Sequence, residues 1–239
     1  MLLFGGVLLG WALLFAMAIP EELRALEGTY GAALLAAICG PTPGSAGPLA
    51  AITMWALMSA AMMAPTAFPA FATYDDLGHT TQTRIGPLIA GYLAIWGGFS
   101  VLAGLAQVAL FQVGLIGMFG QSQSAALTGA LLIGAGLYQF SALKDACLSR
   151  CRAPLTFFMQ HWDEGPWRNG LRLGLDCLGC CWALMLLAFV GGTMNLAFMG
   201  LAMVIMTLEK LPELGRPVTK PLGGALVAAG AVTWALALA

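Results

Sequence analysis

Apolar residues in this chain come in long uninterrupted runs, and polar residues gather in the short stretches between them. Runs over residues 2–19, 49–71, 87–119, 125–143, 174–191, 193–208 and 221–238 predict seven spans, because a helical membrane crossing needs about 20 mostly apolar residues. Barrel strands alternate over roughly 10 residues and would not give runs this long, so helices are the spanning elements. The 87–119 run is too long for one upright crossing and too short for two, which predicts a single tilted or extended helix. Residues 21–48 read as a connector. Its apolar part, Ala32 to Ile38, is too short to cross, and G-P-T-P-G-S-A-G-P follows as a loop signal. Pro20 and Pro154 read as helix stops and Gly191-Gly192 as a tight turn. The expected fold is all-α: a polytopic transmembrane bundle forming a single integral membrane domain over residues 1–239.

Composition agrees with that pattern. The chain is 60% apolar and 9% charged, against about 25% charged in soluble domains, so it cannot cover a water-soluble surface of this size. A net charge of −1 without a basic run excludes nucleic acid as a partner. The basic residues are lopsided. The loops after spans two, four and six hold Arg84, then Lys144, Arg150, Arg152, Arg168 and Arg172, then Lys210, Arg216 and Lys220, with only Arg24 opposite. By the positive-inside rule that side is cytoplasmic, the N-terminus lies inside and the C-terminus lies in the periplasm. Ala16 and Ala18 mimic a cleavage site, but no Lys or Arg precedes the first run, so it is expected to be a retained anchor.

Candidate chemistry concentrates at that cytoplasmic face. Cys177, Cys180 and Cys181 stand at i, i+3 and i+4 in D-C-L-G-C-C-W, on one face of a helix. Cys147 and Cys151, spaced i, i+4, end the preceding span. Cytoplasmic thiols stay reduced, and thiolates at this density suit Cu(I) first, with Zn or an iron–sulfur cluster as the other sulfur-loving choices. Nearby Lys144, Arg150, Arg152 and Arg172 would favour the ionised thiols. Cys39, alone on the outer side, reads as a packing residue. Met54, Met58 and Met62 form a stripe along span two, while Asn195, Met199, Met203, Met206 and Lys210 share one face of span six. Thioethers bind Cu(I) without a charge, so two such stripes form a candidate path; as ordinary apolar fillers they would mean only packing. Asp176, Asn195, Glu209 and Lys144 are candidate supports behind the ligands. Neither His79 nor His161 lies in a span, which leaves a bis-histidine haem without ligands. No Ser-His-Asp set, Walker loop or dinucleotide fingerprint is present.

Several blocks resemble a bacterial family of predicted metal-binding integral membrane proteins, a domain of unknown function. They are M-W-A-L-M-S-A-A-M-M-A-P from Met54, L-K-D-A-C-L-S-R-C-R-A-P from Leu143, C-L-G-C-C-W-A-L-M from Cys177, G-T-M-N-L-A-F-M from Gly192, and Glu209-Lys210. The resemblance implies a helical membrane protein with a metal role and no demonstrated reaction. The combined expectation is a non-enzymatic protein of the bacterial inner membrane. It would lie in membrane lipid, bind a soft metal ion, and serve trafficking or homeostasis with a metallochaperone or a membrane complex as partner. Two alternatives remain open: thiol–disulfide redox chemistry on C-x-x-C-C, and a non-catalytic subunit of a membrane complex, helped by 31 glycines.

Overall fold

The structure is a computed structural model that describes residues 2–18, 47–77, 84–117, 119–193, 195–213 and 215–238. The 21–46 part of the connector, with Arg24 and Cys39, and also His79, lie outside the described residues. The described residues are all-α apart from one isolated bridge, Ile116 to Ser122. In chain order the helices are α1 (Leu2–Ala18), α2 (Gly47–Leu77), α3 (Ile85–Gln112), α4 (Ala125–Tyr138), α5 (Ala142–Arg152) and α6 (Pro154–His161). A 3-10 turn at Trp162–Glu164 then leads into α7 (Pro166–Leu186), α8 (Ala188–Gly191), α9 (Leu196–Lys210) and α10 (Gly215–Leu238).

Four stretches are long and apolar enough to cross a membrane: α2, α3, α7 continued through α8 as Pro166–Gly191, and α10 from Pro217. A fifth results if α4 and α5, bent 62° against each other, count as one broken span. Two of the seven expected spans are shorter helices here, α1 with 17 residues and α9 with 15.

Some boundaries differ from expectation for local reasons. The 87–119 run stops being helical at Gln112, because Gly114 (φ +72°) and Gly120 (φ +73°) turn the chain through the left-handed region. The apolar residues beyond that point pack without being helical, and Ile116 is buried. The fifth span begins at Pro166 rather than 174, with proline in the first turn, where its missing N–H costs nothing. In α2, Pro65 and Pro69 sit inside the helix, as they do inside the expected 49–71 span. Pro65 cannot donate to the carbonyl of Ala61, and the Trp11 indole of α1 donates to it instead (3.2 Å).

Helix α7 is the centre of the bundle: 67% of its apolar window is buried, against 11% for α10. It packs on α3 and α5, while α2 lies against α1, α3 and α9, and α10 against α4. The α3–α7 contact needs bare glycines. A Cβ at Gly91 would sit 2.5 Å from Trp167 O, one at Gly174 would sit 2.9 Å from Ile95 Cβ, and one at Gly170 would run into Leu88 O. These absences let the two backbones close on each other and set the depth at which α3 side chains meet α7.

Candidate metal centre

The site is built on one face of α7. The sulfurs of Cys177, Cys180 and Cys181 all lie within 4.8 Å of one another, and the three residues are at most 2% exposed. Bonds of about 2.3 Å to a shared ion allow sulfur separations up to about 4.6 Å, so the triad needs only small side-chain adjustments to share one. The Cys180 thiol donates to the carbonyl of Cys177 (3.1 Å), and the Cys180 and Cys181 sulfurs stand 3.1 Å apart.

Four other helices complete the surroundings, α3, α9 and α5 directly and α2 through Met63 and Thr66. From α3, the Tyr92 hydroxyl donates to Met63 O (3.0 Å), and its oxygen is 3.0 Å from the Cys177 sulfur. From the end of α9, the Lys210 ammonium donates to Cys177 Sγ (3.1 Å) and to Thr66 Oγ1 (2.6 Å). Thr66 passes its own proton to Met63 O (2.9 Å). Cys177 therefore receives a cation's hydrogen bond in an apolar setting. From α5, Cys147 lies over Gly179, where a Cβ would stand 2.5 Å from its sulfur. Half-buried Cys151 follows Cys147 by one turn on the same face of α5. All five of these cysteines are free thiols.

The charged neighbours are mostly matched. Lys144 Nζ meets Glu209 Oε2 at 2.8 Å with both side chains 1% exposed, and Arg152 donates twice to the Glu209 carbonyl. Asp176 accepts from Arg150 (2.8 Å), whose side chain is largely exposed. Beyond the site, Arg172 donates to Glu164 and holds its carboxyl below the usual carboxylate range. The Asn195 side chain faces neither sulfur stripe; it caps α9 by accepting from Phe198 N (3.1 Å) and donating to Gly191 O. His161 bonds the Phe157 carbonyl, away from the thiols.

The methionine stripes are in the core. Met54, Met58, Met62, Met199 and Met206 are buried, and Met203 is half-buried. Counting back from the Thr66–Lys210 contact, Met62, Met58 and Met54 climb α2 while Met206, Met203 and Met199 climb α9. On α7 the series Cys177, Cys181, Met185 rises in steps of four, and Met185 is also buried. Phe189 then meets Trp55 at 5.3 Å, about 18 Å above Cys177 at 1.5 Å per residue. Sulfur thus recurs on three helices from the triad to that aromatic contact.

Such a donor set serves a soft or borderline cation. Among the described residues it offers thiols and thioethers but no carboxylate or imidazole at the ligating point, so a hard, oxygen-seeking ion is poorly served. Residues 52–233, about three quarters of the chain, match the model of the PpoB2 family, described as a copper chaperone. The chain belongs to the PpoB2 copper chaperone family. The PpoB2 match takes in the five described cysteines, both methionine stripes, Tyr92 and Lys210. No curated protein and no solved structure matches the chain. Family and donor set agree on a transition metal, with copper the metal in the family's description.

Tyr92, Thr66 and Gly179 escape a reading of the sequence alone. Tyr92 lies in an ordinary apolar run, and only the glycine contacts of α3 with α7 carry its hydroxyl to Cys177. Gly179 did carry a signal, a residue without a side chain between cysteines on a helix. Lys210 carried one too, since it continues the Met199–Met206 face by one turn.

Proposed function

We propose that this protein is a membrane-embedded Cu(I) chaperone of the bacterial inner membrane. It would hold its cargo ion on Cys177, Cys180 and Cys181 near the cytoplasmic end of the bundle. The observation that carries this reading is the convergence of three buried thiols, none tied up in a disulfide, within 4.8 Å. Family membership favours copper, and a low-coordinate all-sulfur site favours its monovalent state. The thioethers of α2 and α9, joined by Met185, supply uncharged stepping points along which the ion travels within the apolar core. The lopsided count of Lys and Arg supports the inward placement of the thiols, and the four to five helices apolar enough to cross support bilayer embedding.

The test is metal content after anaerobic purification and Cu(I) loading. Wild type should retain copper through gel filtration, and the C177S/C180S/C181S variant should retain none. Equal copper in the two, or no copper in either, overturns the reading.

A further inference from the structure

The five inner thiols are not equivalent in access. Cys177, Cys180 and Cys181 are at most 2% exposed and Cys147 is 7% exposed, so water and partner proteins reach none of them directly. Cys151 is the exception, half-buried and one helical turn beyond Cys147, whose sulfur packs on Gly179 between the triad cysteines. It sits on α5, whose sequence A-L-K-D-A-C-L-S-R-C-R is the most polar of the helices around α7. Asp145, Ser149 and Arg150 of α5 are exposed as well, so this helix carries polar groups at the surface of the bundle. At the opposite end of the triad, the Lys210 ammonium is bonded to Cys177.

We infer that Cys151 is the hand-over ligand, the sulfur through which the bound ion leaves the buried triad for an acceptor thiol. The inference rests on the Cu(I) reading above and adds a direction and a route. In the transfer step a bond forms between the ion and Cys151 Sγ, and the Cys151 proton passes to the Cys181 sulfur as the bond from Cys181 to the ion breaks. The bond to Cys177 breaks as well; its sulfur keeps the electron pair and remains a thiolate beside the Lys210 ammonium. The ion then rests on Cys180 and Cys151. The acceptor's two thiols bind next as thiolates, the first displacing Cys180 and the second Cys151, and the protons they release pass to those two sulfurs. Copper stays Cu(I) throughout, so no oxidant or reductant is needed. The acceptor is a protein or peptide presenting a pair of cysteines, because one thiolate alone does not match the two sulfurs it must displace.

The experiment separates holding from release. Full-length wild type and C151S are loaded with one equivalent of Cu(I) under anaerobic conditions, and affinity is read by competition with a chromophoric Cu(I) chelator. Transfer is then timed to a short soluble peptide bearing a C-x-x-C pair. C151S should bind Cu(I) within about threefold of wild type yet transfer it at least about tenfold more slowly, the effect of a barrier raised by about 1.4 kcal/mol. An unchanged transfer rate overturns the inference, and so does a loss of affinity as deep as that of the triad variants, which would make Cys151 a holding ligand. If C151S does not fold, loaded wild type is treated with limiting iodoacetamide. Cys151 should be alkylated first, and that protein should keep its copper while losing transfer; transfer that persists, or modification elsewhere first, overturns the proposal. Failure of wild type to bind Cu(I) at all would instead strike the proposed function.

Discussion

The buried pair between Lys144 and Glu209 gives the sharpest energetic test of how α5 is held over the site. The two side chains meet at 2.8 Å and are each 1% exposed, and Glu209 Oε1 has no hydrogen-bond partner among the described residues. Replacing Lys144 with Met preserves length and packing but strands a carboxylate where water does not reach. Breaking a buried pair from one side costs about 3–5 kcal/mol. At about 2–4 °C per kcal/mol for a chain of this size, K144M should melt about 6–20 °C below wild type. Removing both charges avoids the stranded group, so K144M/E209M should recover most of the loss. Melting in detergent can be followed with a thiol-reactive dye, because Cys177, Cys180 and Cys181 stay hidden until the bundle opens. The reasoning fails if K144M melts within about 2 °C of wild type, or if the double variant loses the sum of the two single losses, since either result means no coupling between the partners.

Other consequences can be checked beside it. G170A sets a methyl group against the Leu88 carbonyl; it should cost about 1–3 kcal/mol by overpacking, seen as a lower melting temperature with weakened Cu(I) binding as Tyr92 withdraws. Y92F removes one hydroxyl from Met63 O and Cys177, so a loss of about 1 kcal/mol is expected in the melt, with copper stoichiometry unchanged. K210M takes the charged donor from Cys177, and Cu(I) affinity at neutral pH should fall about tenfold or more, the usual worth of a hydrogen bond to a charged group, in the same chelator competition.

Much of this arrangement was legible in the residues, and the exceptions have physical causes. The i, i+3, i+4 spacing alone puts Cys177, Cys180 and Cys181 on one face, because helical geometry fixes that relation whatever surrounds it. The long apolar helices follow equally directly from run length. The start of α7 was hidden, since W-R-N-G-L-R-L-G carries two arginines and reads as loop until its glycines are seen packed on α3. The end of α3 is hidden for the opposite reason: Leu115, Ile116 and Phe119 continue an apolar run after Gly114 has already turned the chain. Asn195 shares a helical face with the methionines, yet it sits at a helix start, where its side chain bonds the Phe198 amide. Periodicity reports which face a residue occupies and not which neighbour approaches it, so the meeting of Tyr92, Lys210 and Cys177 had to come from packing.

Gly179 shows what that distinction means for reading related chains. The space a methyl group would take there is filled by the Cys147 sulfur of another helix, so the middle letter of C-L-G-C-C records the presence of a neighbour. A relative carrying alanine at that position should have moved or lost its counterpart of Cys147. The two positions should therefore change together across evolution, although neither is expected to touch the other's backbone partner in the chain.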